Sequence, residues 1–162
     1  MARALIVGCG CRGRELGGRL RARGWQVRGT SRAEGTLEKI RAAGLEPAQA
    51  DPDRPGTILD LCGDVAVVVW LLGSASGEPA LIRAIHGPRL ERLLERLVDT
   101  PVRAFVYEGS GGVEPEVLDR GRTAVLDASK TWRIPVAFID RSPSETEWAE
   151  RAAASVTESP SA

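Results

Sequence analysis

Gly8, Gly10 and Gly13 stand in the spacing G-x-G-x-x-G directly after the apolar run Ala4-Leu5-Ile6-Val7, an order of residues suited to holding a diphosphate. The first glycine permits a tight turn and the second lets a phosphate approach the backbone. The third lets the following helix lie close against a strand. The start of that helix then offers free N–H groups to an anion. Taken alone, the pattern also describes a plain strand-to-helix corner. Its sequel favours a nucleotide, because Leu16 and Leu20 follow at helical spacing and a second strand over residues 25–29 arrives after Gly24. Gly17 removes bulk one turn after Gly13. Cys11 and Arg12 fill out the turn and join the glycines as expected contacts to the ligand.

The end of the second strand chooses between nucleotides. A free ribose 2′-hydroxyl usually meets an Asp or Glu there, whose carboxylate accepts the sugar's hydrogen bonds. This chain reads Gly29-Thr30-Ser31-Arg32 and has no acid until Glu34. Two hydroxyls and a guanidinium therefore stand where a 2′-phosphate would lie, and arginine grips phosphate through paired N–H donors. NADP(H) is expected over NAD(H), with Arg12 as a second positive charge. The competing reading of Arg32 is a solvated loop residue, in a chain whose basic residues are nearly all arginine, with only Lys39 and Lys130 as lysines.

These residues need a scaffold, and the rest of the chain supplies its elements. Helical spacing runs from Thr36-Leu37 to Ala43 and stops at Gly44. Residues 45–50 read as a short strand, which Pro47 assigns to an edge. A loop over 51–56 leads into a short helix over 57–61. Residues 65–72 are apolar on both faces, as a central parallel strand requires. After the small-residue loop 73–77, apolar residues recur from Leu81 to Val98, interrupted at Gly87-Pro88. A fifth strand over 102–107, a helix over 114–132 and a sixth strand over 135–140 follow. Ser144 and Glu147 have capping-box spacing ahead of Trp148 and an alanine run. Trp70 and the leucines of 90–98 read as core, and Trp132 as a core plug at a helix end. This alternation predicts an α/β fold: a three-layer, doubly wound, mostly parallel six-stranded sheet of order 3-2-1-4-5-6. The expected division is a Rossmann domain over 1–141 and a terminal helix with a frayed tail over 142–162.

At 162 residues the chain suits one domain, and its formal net charge of zero gives no reason to expect a nucleic-acid partner. No apolar run approaches a membrane span, and the chain enters a strand without a leader, so a cytoplasmic location is expected. Three cysteines without a secretion signal argue for free thiols. Helix N–H groups near Cys9 and Cys11 would favour a thiolate, but small loop residues are the simpler reading. His86 is the one histidine, and no Cys or His pair has zinc-ligand spacing, so no metal is expected.

Gly8-Cys9-Gly10-Cys11-Arg12-Gly13, residues 24–32 and Ala50-Asp51 resemble the NAD(P)-dependent epimerase/dehydratase group of atypical short-chain dehydrogenases/reductases. The resemblance implies that Gly8, Gly10 and Gly13 hold the pyrophosphate and that Thr30, Ser31 and Arg32 hold the adenosine 2′-phosphate. It also implies that Asp51 meets the adenine edge, that Leu72 and Gly73 border the nicotinamide ribose, and that Ser110 sits where the family often keeps a catalytic Ser or Thr. The departure is the proton relay. The family pairs a tyrosine with a lysine four residues later, and here the one tyrosine, Tyr107, is followed at that distance by Gly111. Neither lysine is preceded by tyrosine, since position 35 is Gly and position 126 is Leu. Little sequence follows the sixth strand to build a substrate lobe. The expected role is thus a dinucleotide-binding sensor or accessory protein, with homo-oligomerisation through Trp148 as an option. The first alternative is a small NADPH-dependent oxidoreductase acting on a small molecule, using Tyr107 and Ser110 with Glu108, His86 or Lys130 nearby. A further alternative is an S-adenosylmethionine-dependent methyltransferase, against which Ile6 and Thr30 stand where acids are usual.

Overall fold

The computed structural model describes residues 2–140 and 148–158. Its six strands are β1 Arg3–Val7, β2 Gln26–Ser31, β3 Glu46–Gln49, β4 Val67–Trp70, β5 Ala104–Glu108 and β6 Val136–Ile139. They form one sheet in the order β3-β2-β1-β4-β5-β6, and every neighbouring pair is parallel. The helices are α1 Cys11–Ala22, α2 Glu34–Ala42, α3 Pro55–Leu59, α4 Pro79–Ile85, α5 Pro88–Leu97, α6 Pro115–Trp132 and α7 Trp148–Glu158.

Alternation along β1 makes the two faces. Leu5 and Val7 point into a core shared with α3, α5 and α6, where Ile58, Leu90, Leu93, Leu94 and Val125 join Trp70 and Phe105. Ala4 and Ile6 point the other way, onto Leu16 and Leu20 of α1, Ile40 of α2 and Ala152, Ala153 and Val156 of α7. Burial on both sides explains why β4 reads Val-Val-Val-Trp, with all four residues buried. The terminal helix therefore shares the core of the sheet. Ser144 and Glu147 lie outside the described residues, as does the side chain of Trp148.

Prolines and glycines punctuate the chain. Proline opens α3, α4, α5 and α6 at a first-turn position, where its missing N–H costs nothing. The apolar periodicity of 81–98 is thus two helices, broken at Gly87-Pro88. Pro47 falls on β3, which is an edge strand. Trp132 departs from expectation, being 44% exposed. It closes the last turn of α6, and the αL residue Arg133 then swings the chain toward β6 and leaves the indole at the rim.

Candidate functional site

The strand order reverses direction between β1 and β4, and a cleft of about 450 Å³ opens there beyond the carboxyl ends of the strands. Its floor is the turn from β1 to α1. Gly8 has φ +87°, and a Cβ on it would lie 2.6 Å from the Leu71 carbonyl oxygen, so only glycine fits without displacing β4. A Cβ on Gly13 would lie 3.2–3.4 Å from Cys9 Sγ, the Gly8 carbonyl oxygen and Ile6 Cγ2, so its absence lets α1 lie close against the sheet. A Cβ on Gly10 would meet nothing within 4 Å, so this glycine faces the open cleft.

Backbone bonding leaves donors at this point. Cys9 N–H donates to the Thr30 carbonyl at 3.0 Å and Gly10 N–H to the Gly8 carbonyl at 2.9 Å, which fixes the turn. The first helical bond runs from Arg14 N–H to the Gly10 carbonyl at 2.9 Å, so the first turn of α1 starts at the glycine turn with its N–H groups directed toward the cleft side of the helix start. No acid stands in the first turn of α1, and its dipole adds partial positive charge. The arrangement is suited to a diphosphate.

Thr30, Ser31 and Arg32 line one end of the cleft, with Asp51 beside them. β2 runs two residues further than its composition suggests because Thr30 and Ser31 pair with Ala48 and Gln49 of β3. Ser31 Oγ accepts the Ala33 N–H at 3.1 Å and turns the chain outward, leaving Arg32 exposed. Asp51 is held from both ends: its N–H donates to Thr57 Oγ1 at 2.9 Å and its Oδ1 accepts the Asp53 N–H at 2.9 Å. The opposite wall combines Leu72, Ser74, Ala75 and Ser76 with Leu81, Ile82 and Ile85 of α4. Sequence reasoning left α4 and the serines out of the site. The smallness of residues 73–77 was the available signal.

Several expected site residues stand elsewhere. Tyr107 is fully buried, and its hydroxyl lies 2.7 Å from His86 Nδ1 and 3.4 Å from the Leu118 carbonyl. Burial pushes its phenol well above the ordinary range. It is a core residue and does not line the cleft, and neither does Ser110. Gly73 is also outside the lining, since its N–H donates to Glu108 Oε1 at 2.7 Å and its Cα faces the turn after β5. Arg12 lines the cleft, but its guanidinium is directed away from Arg32: Nη1 and Nη2 both bond the Glu108 carboxylate, the latter at 3.4 Å. Glu108 is fully buried and far from the solvated acid its position suggests. Cys9 lies under the turn, where burial pushes its thiol up to about 12, and it acts as a small packing residue against Gly29. Cys11 is exposed at the cleft, and all three cysteines are free thiols. Among the described residues no cluster of His, Cys, Asp or Glu is arranged for a metal, and no helix is long and apolar enough to cross a membrane.

His86 fixes the back of the cleft. It is fully buried, and Nε2 lies 2.9 Å from the Leu72 carbonyl, which can only accept, so Nε2 carries the proton and Nδ1 accepts from Tyr107. Burial holds the imidazole neutral, with its pKa below the ordinary 6.5. The unfolded chain takes up a proton below about pH 6.5 that the folded chain refuses, so stability is greatest above that pH and falls as pH drops through that window. Stability at about pH 5.5 is therefore expected to be lower than at about pH 7.5. Urea unfolding at both pH values checks this. His86→Gln should flatten the slope, and an unchanged slope would show that another group titrates there.

No family model and no curated protein matches the chain. Solved structures do. UDP-glucuronic acid 4-epimerase from Bacillus cereus, in complex with NAD, superposes with TM-score 0.67 at 16% identity over 86% of this chain. A putative NAD-dependent epimerase/dehydratase from Bacillus halodurans gives 0.70 at 18% identity over 88%. Triphenylmethane reductase from Citrobacter sp., complexed with NADP(H), gives 0.64 at 18% identity over 87%. The chain spans 56%, 71% and 49% of these three proteins respectively. Together the sheet order and these likenesses define an α/β protein of the Rossmann fold, whose structural neighbours are epimerase/dehydratase-like and reductase proteins.

Proposed function

We propose that this chain binds a nicotinamide dinucleotide, with NADP(H) preferred over NAD(H), and that it works as a cofactor-binding sensor or accessory protein. The observation that carries the reading is the cleft itself: the open glycine turn at the start of α1 on one side, and exposed Arg32 just after β2 at the other end. The residues present fit the adenosine diphosphate portion of such a ligand. Gly8, Gly10, Cys11 and Gly13 suit the diphosphate, Thr30, Ser31 and Arg32 suit a 2′-phosphate, and Asp51 suits the adenine edge. When bound, the cofactor would supply hydride chemistry, and this chain's own groups bind and orient it.

Two observations favour binding without turnover. The Tyr107 hydroxyl is occupied inside the core, and neither it nor Ser110 lines the cleft. The alternative of a small NADPH-dependent oxidoreductase would need acid and base groups other than these. A methyltransferase finds no support in a described sheet whose strands are all parallel.

Calorimetric titration of the purified protein with NADPH, NADH and S-adenosylmethionine tests the reading, followed by NADPH fluorescence with a broad carbonyl panel. NADPH should bind more tightly than NADH, S-adenosylmethionine should give no heat, and the fluorescence should stay constant. Absence of heat with both dinucleotides would refute the binding reading. Steady oxidation lost in Tyr107→Phe or Ser110→Ala would refute the non-enzymatic one.

A further inference from the structure

We propose that the Thr30 hydroxyl is a specificity-determining contact to the nucleoside of the bound nucleotide, at a neutral polar atom of the base or its ribose, and takes no part in holding a 2′-phosphate. This inference rests on the nucleotide reading above and reassigns one residue within it. Among the described residues the buried polar side chains are those of Thr30, His86 and Glu108. His86 bonds Tyr107 and the Leu72 carbonyl, and Glu108 bonds Arg12 and the Gly73 N–H. The Thr30 hydroxyl has no hydrogen-bond partner among the described residues, although the residue is only 1% exposed. Buried hydroxyls are nearly always bonded, so one left open at a cleft calls for a group that the protein itself does not supply. Thr30 lines the cleft, and the little surface it keeps opens there.

Side-chain alternation separates Thr30 from its two neighbours. A Cβ on Gly29 would lie 2.5 Å from Cys9 Sγ and 3.3 Å from Ile40 Cγ2, which puts Gly29 and Ser31 on the face of the sheet covered by α1 and α2. Thr30 therefore faces the other way, toward the core that holds Val7, Ala50 and Leu72. Hydroxyls on opposite faces of a strand diverge, so a single phosphate does not collect both. Ser31 Oγ accepts the Ala33 N–H and Arg32 is exposed, which assigns those two to the outer end of the cleft. On the side of Thr30 the lining is apolar, with Ala50 and Leu72 joined by Ile82 and Ile85 of α4. A dianion would be stripped of water there, away from the exposed guanidinium, a strongly unfavourable change. A heterocycle edge or a sugar hydroxyl loses far less and gives the threonine its missing bond.

Calorimetry of Thr30→Val with NADP+ and NAD+ tests this, because valine keeps the shape of the side chain and removes the hydroxyl. Both dinucleotides should lose affinity by a similar factor, about 5- to 30-fold, since each then leaves a polar atom unpaired in the cleft. Thr30→Ser restores a hydroxyl and should bring both back to within about threefold of the wild type. The ligand-free Thr30→Val protein should melt at or above the wild-type temperature, as an unpaired buried hydroxyl does not stabilise the fold. A loss for NADP+ more than about threefold greater than for NAD+ would return Thr30 to the 2′-phosphate and overturn the inference, and so would unchanged affinity for both. A melting temperature lower by more than about 2 °C would reveal a bond within the protein and overturn it as well. If the wild-type protein gave no heat with either dinucleotide, the nucleotide reading itself would fail, and this inference with it.

Discussion

Replacing Arg32 with alanine is expected to weaken NADPH binding by roughly 10- to 100-fold, the loss of a charge-assisted contact of about 1.5–3 kcal/mol, while NADH affinity changes by less than about twofold. The asymmetry follows from the end of β2. Ser31 caps the turn, Arg32 projects beside the cleft, and among the described residues its guanidinium has no carboxylate partner to hold it elsewhere. Only the 2′-phosphorylated ligand brings charge to that point. Added salt should weaken NADPH binding to the wild-type protein more than to the variant, because screening acts on the same pair. Tryptophan quenching or calorimetry reads both effects. Equal loss for both dinucleotides would make Arg32 a contact to some other part of the ligand, and no loss would return it to a solvated loop residue.

The second large effect concerns stability. Arg12→Ala removes the guanidinium that pairs with the fully buried Glu108 carboxylate and leaves it the Gly73 N–H, which donates to Oε1. Removing one member of a buried pair costs about 3–5 kcal/mol, which for a domain of this size corresponds to a fall in Tm of roughly 10 °C. Glu108→Gln keeps the shape and the acceptor for Gly73 while removing the charge, so it should cost less, about 1–3 kcal/mol. Thermal melts of the two variants and the wild type measure this. If Arg12→Ala melted within about 2 °C of the wild type, the bridge would be a surface contact of the median kind, worth less than about 1 kcal/mol.

The fold was legible because its signals are local. Valine-rich runs that stop at glycines give parallel strands, and Leu90, Leu93, Leu94 and Leu97 give one face of a helix, so order and layering follow from alternation. What sequence hid depends on pairing across distance. β2 reaches Ser31 because β3 is there to accept it. Trp132 is exposed because the chain turns at Arg133, a backbone choice with no signature in the side chains. The glycine spacing and the residue types of Thr30-Ser31-Arg32 single out stretches that line the cleft. The partner of Arg12 did not, since Glu108 lies 96 positions away and reads locally as an acid after a strand. Tyr107 and Ser110 are expected near a ligand from their position at the carboxyl end of the fifth strand and, for Ser110, from the family resemblance. Side-chain alternation instead turns Tyr107 into the core, where His86 meets it from the end of α4. The family resemblance puts Gly73 at the ribose, and its N–H instead donates to Glu108.

The central claim is that backbone N–H groups at the start of α1 capture a diphosphate. Backbone amide NMR during an NADP+ titration tests it directly. The largest saturable shifts should fall on Gly10, Cys11, Arg12 and Gly13, with a second group at Thr30, Ser31 and Arg32. Shifts confined to other parts of the chain, or none at ligand concentrations near about 1 mM, would contradict the account.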